Sequence, residues 1–203
     1  MLDPRELYPN SFHPMETSLK RDYSGSAKHY TRTQRPPKYY FIDFGLSRRY
    51  DPTDTNPREV PIWGGDKEVP EFQNSNEPCN PFQTDVFYIG NAIRKDFLQV
   101  SQPSFCFSHP NRDHTWQTKN GFEFMEHLVA DMVQANPSNR PNMDEVVARF
   151  NKICAGLSSW KLRSRVVDKD EEKIERVTRS VHHWARRIRF VAAGVPAVPT
   201  PAS

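Results

Sequence analysis

Apolar residues recur at helical spacing in three stretches of the chain and run together in a fourth, and these stretches predict its regular elements. Asp85 opens a segment in which Val86, Phe87, Ile89, Ala92, Ile93, Phe97 and Leu98 fall on nearly every face, the pattern of a helix buried in the middle of a domain. Between Phe122 and Gln134, Phe124, Met125, Leu128, Val129, Met132 and Val133 keep helical spacing until Asn136 and Pro137 stop them. A third helix begins at Asn142, where Glu145 completes a capping box, and carries Val146, Val147, Phe150 and Ile153. The fourth stretch, Tyr39 to Ile42, is an unbroken aromatic and apolar run that predicts a short, mostly buried strand, ended by Asp43, Phe44 and Gly45.

The segments between these elements lack periodicity. From Asp3 to Pro37 the chain is rich in Pro, Tyr, Ser and basic residues, including Lys20, Arg21, Lys28, Arg32 and Arg35. A loop this long is a tolerated surface insertion or a functional lid, and here it is expected to be a mobile basic arm. Leu46 to Asn80 is also too long for a simple connection and reads as a functional loop closing over a site. Val100 to Asn120 contains Cys106, His109 and His114, which read as scattered loop residues because no second ligand pair accompanies them.

A different pattern occupies Asp168 to Ala193. Ile174, Val177, Val181, Trp184, Ile188 and Val191 recur at alternating intervals of three and four, while Lys173, Arg176, Arg179, Arg186, Arg187 and Arg189 take the other faces. This is a basic amphipathic helix, followed by a proline-rich end. Its stripe either docks on the rest of the chain or meets a partner helix or an anionic membrane surface.

Composition narrows the picture. The 203 residues hold one domain with a core, but 36% hydrophobic content and 18 prolines assign much of the chain to loop and tail. A net charge of +3 gives no case for nucleic-acid binding. Three scattered cysteines, Cys79, Cys106 and Cys154, form no disulfide framework, and Met1 to Glu6 carry charges and a proline where a secretory signal would be apolar. The longest apolar run, Phe190 to Val195, is too short to span a bilayer. The expected location is intracellular and cytoplasmic.

Candidate chemistry gathers at Asp43, a carboxylate delivered to a turn. It is suited to holding a divalent cation such as Mg2+ bridging phosphates, with Phe44 anchoring the turn in the core and Gly45 letting the backbone bend. The plain alternative is a turn acid at a strand end. In chain order follow Val69-Pro70-Glu71, then Asp85 with Gly90 five residues later, then Pro137 with Arg140-Pro141.

This ordered set resembles the carboxy-terminal lobe of the eukaryotic protein kinase family, with Val69-Pro70-Glu71 in place of Ala-Pro-Glu. The resemblance covers roughly Met1 to Ile153. It implies a mainly α fold of the α+β kinase-like kind, a helical bundle around a central buried helix with a short β-hairpin remnant. Met1, Leu2 and Asp3 would end the first strand of that hairpin. Residues 1–37 would be this strand remnant with a long basic insertion, 38–153 the lobe itself, and 154–203 the basic helical tail. Asp43 to Glu71 would be the activation segment, with Ser47, Thr53 and Thr55 as candidate phosphorylation sites. Asp85 would tether the catalytic loop, Gly90 would permit a close approach, and Glu71 would pair with Arg140.

The sequence also lacks several parts of that family. It has no glycine-rich phosphate loop, no strand lysine and no His-Arg-Asp loop with its following Asn. The near matches fail: Lys20-Arg21-Asp22 has Ala27 where Asn is needed, and Asn111-Arg112-Asp113 has Thr118. Gly64 and Lys67 stand where many serine/threonine kinases have Thr and Tyr. The resemblance therefore implies a fragment, inactive alone, of an ATP- and Mg2+-dependent kinase, of serine/threonine type, acting on a protein substrate. A non-catalytic pseudokinase-type binding module that recruits a partner protein is the alternative, and phosphotransfer to a small molecule is a third class that the long activation-like segment disfavours.

Overall fold

The computed structural model describes residues 1–62, 65–73, 75–98, 119–168 and 171–201. The chain is mainly helical. Its elements are α1 (Pro81–Ile93), continued by a π-helical turn Arg94–Leu98, β1 (Lys119–Asn120), α2 (Glu126–Met132), α3 (Met143–Gly156), α4 (Ser159–Leu162), β2 (Val167–Asp168) and α5 (Lys173–Ala192). β1 and β2 form a two-residue antiparallel ladder pairing Lys119 with Asp168 and Asn120 with Val167. Contacts divide the chain into two units, Arg48–Val181, and Met1–Ser47 with His182–Ser203.

The first of these units holds the core. Val86 of α1, Met125, Leu128, Val129 and Met132 around α2, and Val146 of α3 form one buried cluster, with Ile93, Leu98, Phe124 and Ile153 packed at its edge. α1 starts four residues before the sequence reading placed it: the Asn80 side chain accepts from the Phe82 N–H and Pro81 occupies the first turn. Asp85 is therefore inside the helix rather than in its first turn. α1 buries Thr84, Val86, Phe87, Gly90 and Asn91, whereas Phe82 and Ile89 are exposed, so its apolar content is wider than its buried face.

The second periodic stretch forms a 3-10 turn, Glu123–Met125, leading into the short α2. α3 has both halves of the expected capping box: Asn142 accepts from the Glu145 N–H and Glu145 from the Asn142 N–H, each at 2.9 Å.

In the other unit, the expected buried strand Tyr39 to Ile42 is a correction. Leu2 makes a single antiparallel bridge with Tyr39, and Tyr39, Tyr40, Phe41 and Ile42 are all exposed, Phe41 to 92%. An apolar run becomes a buried strand only if further strands or a helix cover it, and one bridge covers neither face.

The arm from Asp3 to Pro37 has no helix or ladder, as its composition predicts, and it carries local packing of its own. Tyr30 N–H donates to Leu7 O, Ala27 N–H to Ser18 O, and Leu19 bridges Ser26, while Leu7 and Ala27 are buried. Ring contacts join Tyr8 to Phe12 and His13 to Tyr23. The exposed turn from Lys20 to Ser24 is its open end. Trypsin is expected to cut after Lys20 and Arg21 before any site in α1, α2 or α3, and mass spectrometry of the first fragments checks this. First cuts inside those helices would contradict the packing described.

Candidate functional site

The best-built polar site joins the turn after Val69 to the segment before α3. Val69 is fully buried, Pro70 opens a 3-10 turn, and Glu71 lies inside that turn. Opposite, the Asn136 side chain caps the turn Pro137–Asn139, and the Asn142 capping box opens α3 just beyond. Arg140, extended between these two capped turns, has little freedom to move. Its Nη1 and Nη2 donate to Glu71 Oε1 and Oε2 at 2.8 and 2.7 Å, its Nη1 also to Gln83 O at 3.0 Å, and its Nε to Gln134 O at 2.8 Å.

The guanidinium also lies 4.8 Å from the Phe87 ring centroid. The Thr84 hydroxyl lies 3.1 Å from Glu71 Oε1. The two charged side chains are 0% and 6% exposed. Burial pushes the Glu71 carboxyl up, but the Arg140 hydrogen bonds and charge, with the backbone N–H and Thr84, outweigh it and hold it below its ordinary value. The arrangement is a bidentate clamp, which fixes position rather than performing chemistry.

A second cluster escaped the sequence reading. Asn91 is 0% exposed near the C-terminal end of α1, and its amide donates to Asp66 and, at 3.1 Å, to Glu68. Arg94 donates to Asn91 and pairs with Glu68 at 3.3 Å, while Lys95 pairs with Glu68 at 2.9 Å and Asp66 at 3.5 Å. Burial raises the Asp66 carboxyl, but the Glu68 N–H, Asn91 and Lys95 together bring it below its ordinary value. A polar amide within the largely apolar stretch from Val86 to Ile93 is the signal that was available, because a buried amide needs partners. The loop before Val69 is thus fastened to α1 by these bonds.

Asp43 lies in the other unit and is exposed. Its backbone is left-handed, φ 63° and ψ 60°, at the start of the 3-10 turn Phe44–Leu46. The expected roles of its neighbours are corrected. Phe44 is 65% exposed and anchors nothing in a core, because the run before it has no covering layer. The bend falls on Asp43 rather than on Gly45, which has no positive φ. Asp is among the few residues that tolerate this conformation, at a cost of about 1 to 3 kcal/mol.

Asp85 is exposed and its side chain makes no hydrogen bond among the described residues, and partial desolvation raises its carboxyl above the ordinary value. At Gly90 a Cβ would stand 2.7 Å from Met132 Cβ, so α1 and α2 touch there without a side chain between them. Ser47, Thr53 and Thr55 are exposed. The Thr53 hydroxyl donates to Asp51 at 2.6 Å, so a phosphate on Thr53 would face that carboxylate. Lys67 is exposed, whereas Gly64, Cys106, His109 and His114 lie outside the described residues, as does the Asn111 to Asp113 near match. Among the described residues no group of three His, Cys, Asp or Glu suits a metal ion, and no helix is long and apolar enough to cross a membrane.

No family model, curated protein or solved structure matches this chain.

Proposed function

We propose that this chain is a protein kinase-like carboxy-terminal lobe, a fragment of an ATP- and Mg2+-dependent enzyme that transfers phosphate to protein hydroxyls. The observation that supports this reading best is the buried Glu71–Arg140 clamp. It ties the end of a long irregular segment, which begins at Asp43-Phe44-Gly45, to the helical core. A segment that must shape a substrate site needs a fixed end and an adaptable middle.

In this reading Asp43 is a metal ligand. It is exposed, with no hydrogen bond or ion pair among the described residues, so its oxygens are open to a cation. One carboxylate fits Mg2+ only as part of a larger set, since that ion keeps most of its waters and binds through one or two carboxylates plus substrate phosphates. When bound, the metal supplies neutralisation of the phosphate charge. Asp85, exposed and with no hydrogen bond from its side chain among the described residues, is the group that would hold the catalytic loop.

Residues 1–203 alone are expected to show no ATP-dependent phosphorylation. In a longer parent carrying a glycine-rich loop, a strand lysine and a His-Arg-Asp loop, Asp43→Asn is expected to abolish transfer of labelled phosphate while leaving the melting temperature unchanged. Undiminished transfer in that variant removes Asp43 from the metal site and overturns the proposal. A coding sequence without those motifs upstream of Met1 places the chain among non-catalytic binding modules instead.

A further inference from the structure

Helix α5 turns its apolar stripe to solvent. Ile174, Val177, Val181, Trp184, Ile188 and Val191 are each at least 49% exposed. The side of the helix that the protein covers is another one: Arg187 is buried and Ser180, His183 and Phe190 are partly buried, a line about a quarter turn or slightly more from the stripe. The sequence alone allowed the stripe to dock on the rest of the chain, and the structure seats α5 by its more polar side. Six apolar residues at heptad spacing, extending about 26 Å along the helix, thereby face solvent, Trp184 with the Arg187 guanidinium 4.9 Å from its ring centroid.

Charge indicates what covers them. α5 contains six basic residues and one acid, Glu175. Lys173, Arg176, Arg186 and Arg189 are exposed, and Arg176 and Arg189 stand on opposite sides of the stripe, each a little more than a quarter turn from its centre. Arg179 is engaged by Glu171 and Glu175, which also removes those acids from opposing an anionic partner. Two α5 helices meeting stripe to stripe would gather two such cationic helices, whereas an anionic lipid surface complements them.

We propose that α5 is an in-plane membrane-binding helix: its Ile, Val and Trp stripe enters the boundary between acyl chains and headgroups of an anionic bilayer, and Arg176 and Arg189 reach the lipid phosphates on either side. An exposed apolar stripe with Trp184 at its middle, low net hydrophobicity and basic flanks is the combination that lies in a membrane interface rather than crossing it. Attraction from the flanking cations adds to the apolar burial and is screened by salt.

The test is flotation of the full chain with vesicles of phosphatidylcholine alone or of phosphatidylcholine mixed with phosphatidylglycerol. The chain is expected to float with the mixed vesicles at least about tenfold more strongly than with the neutral ones, and less so as salt rises. Ile188→Asp should abolish flotation, and the double variant Arg176→Gln with Arg189→Gln should weaken it about tenfold. Unchanged circular dichroism would show that both variants keep their helices. Absence of flotation, flotation indifferent to lipid charge, or full binding by Ile188→Asp overturns the proposal. So does a concentration-dependent dimer that Ile188→Asp dissolves without any vesicle binding, which would assign the stripe to a second copy of the chain.

Discussion

Glu71→Ala is expected to lower stability by about 3 to 5 kcal/mol, the cost of removing one partner of a buried ion pair and leaving the other uncompensated. Arg140 would keep its bonds to Gln83 O and Gln134 O but lose both charge-assisted contacts to the carboxylate, at a side chain that is 0% exposed. Denaturant unfolding of residues 1–203 followed by circular dichroism measures this, and a loss of only a few tenths of a kcal/mol would refute a buried clamp. Changing both partners to apolar residues, Glu71→Leu with Arg140→Met, should cost less than Glu71→Ala alone, because no charge is then stranded.

The same pair sets a pH dependence. The Glu71 carboxyl titrates below its ordinary value of 4.5 in the folded protein, so the folded state binds fewer protons there than the unfolded chain. Its contribution is therefore complete above that ordinary value and is lost as pH falls through the lower folded one. Glu71→Ala should flatten this acid limb of the stability profile.

Local signals in the sequence carried the helical elements well and carried burial poorly. The Asn142 and Glu145 capping box and the core face Leu128, Val129 and Met132 each depend on residues a few positions apart, so neighbours alone specify them, whereas α2 ends at Met132, before the stop expected at Asn136 and Pro137. The bidentate contact of Glu71 with Arg140 was legible only through the order of motifs, since nothing local joins residues so far apart. Tyr39 to Ile42 has a buried strand's composition, but burial depends on a covering layer that no window of sequence contains.

α5 shows the same limit from the other side. Its stripe predicted the helix, while the face that the protein covers follows Ser180, His183, Arg187 and Phe190, which no hydrophobicity pattern would select. The Asn91 cluster is hidden by the apolar positions of α1 that surround that amide, and its acidic partners Asp66 and Glu68 lie in a separate loop. Both cases show that a polar residue at a buried position is as informative as an apolar one.

Gly90→Ala is expected to destabilise the protein by about 1 to 3 kcal/mol, against the usual preference of helices for alanine. Helix propensity favours the change by about 1 kcal/mol at an interior position. Opposing it, the new Cβ would lie 2.7 Å from Met132 Cβ and 3.0 Å from Val133 Cγ1. Met132 is 1% exposed, and its Cβ is fixed to the α2 backbone, so relief requires α1 and α2 to separate rather than a side-chain end to swing away. Separation would loosen Val86, Leu128 and Val129, which share that core, and the packing loss exceeds the propensity gain. Gly156, at the end of α3, is the control: nothing lies within 4 Å of its added Cβ and its φ is not positive, so Gly156→Ala should be neutral or stabilising by up to about 1 kcal/mol. Unfolding midpoints of the two variants should move in opposite directions from the parent. A stabilising Gly90→Ala would mean that α1 and α2 do not meet at that glycine, and the central position of α1 in the core would fall with it.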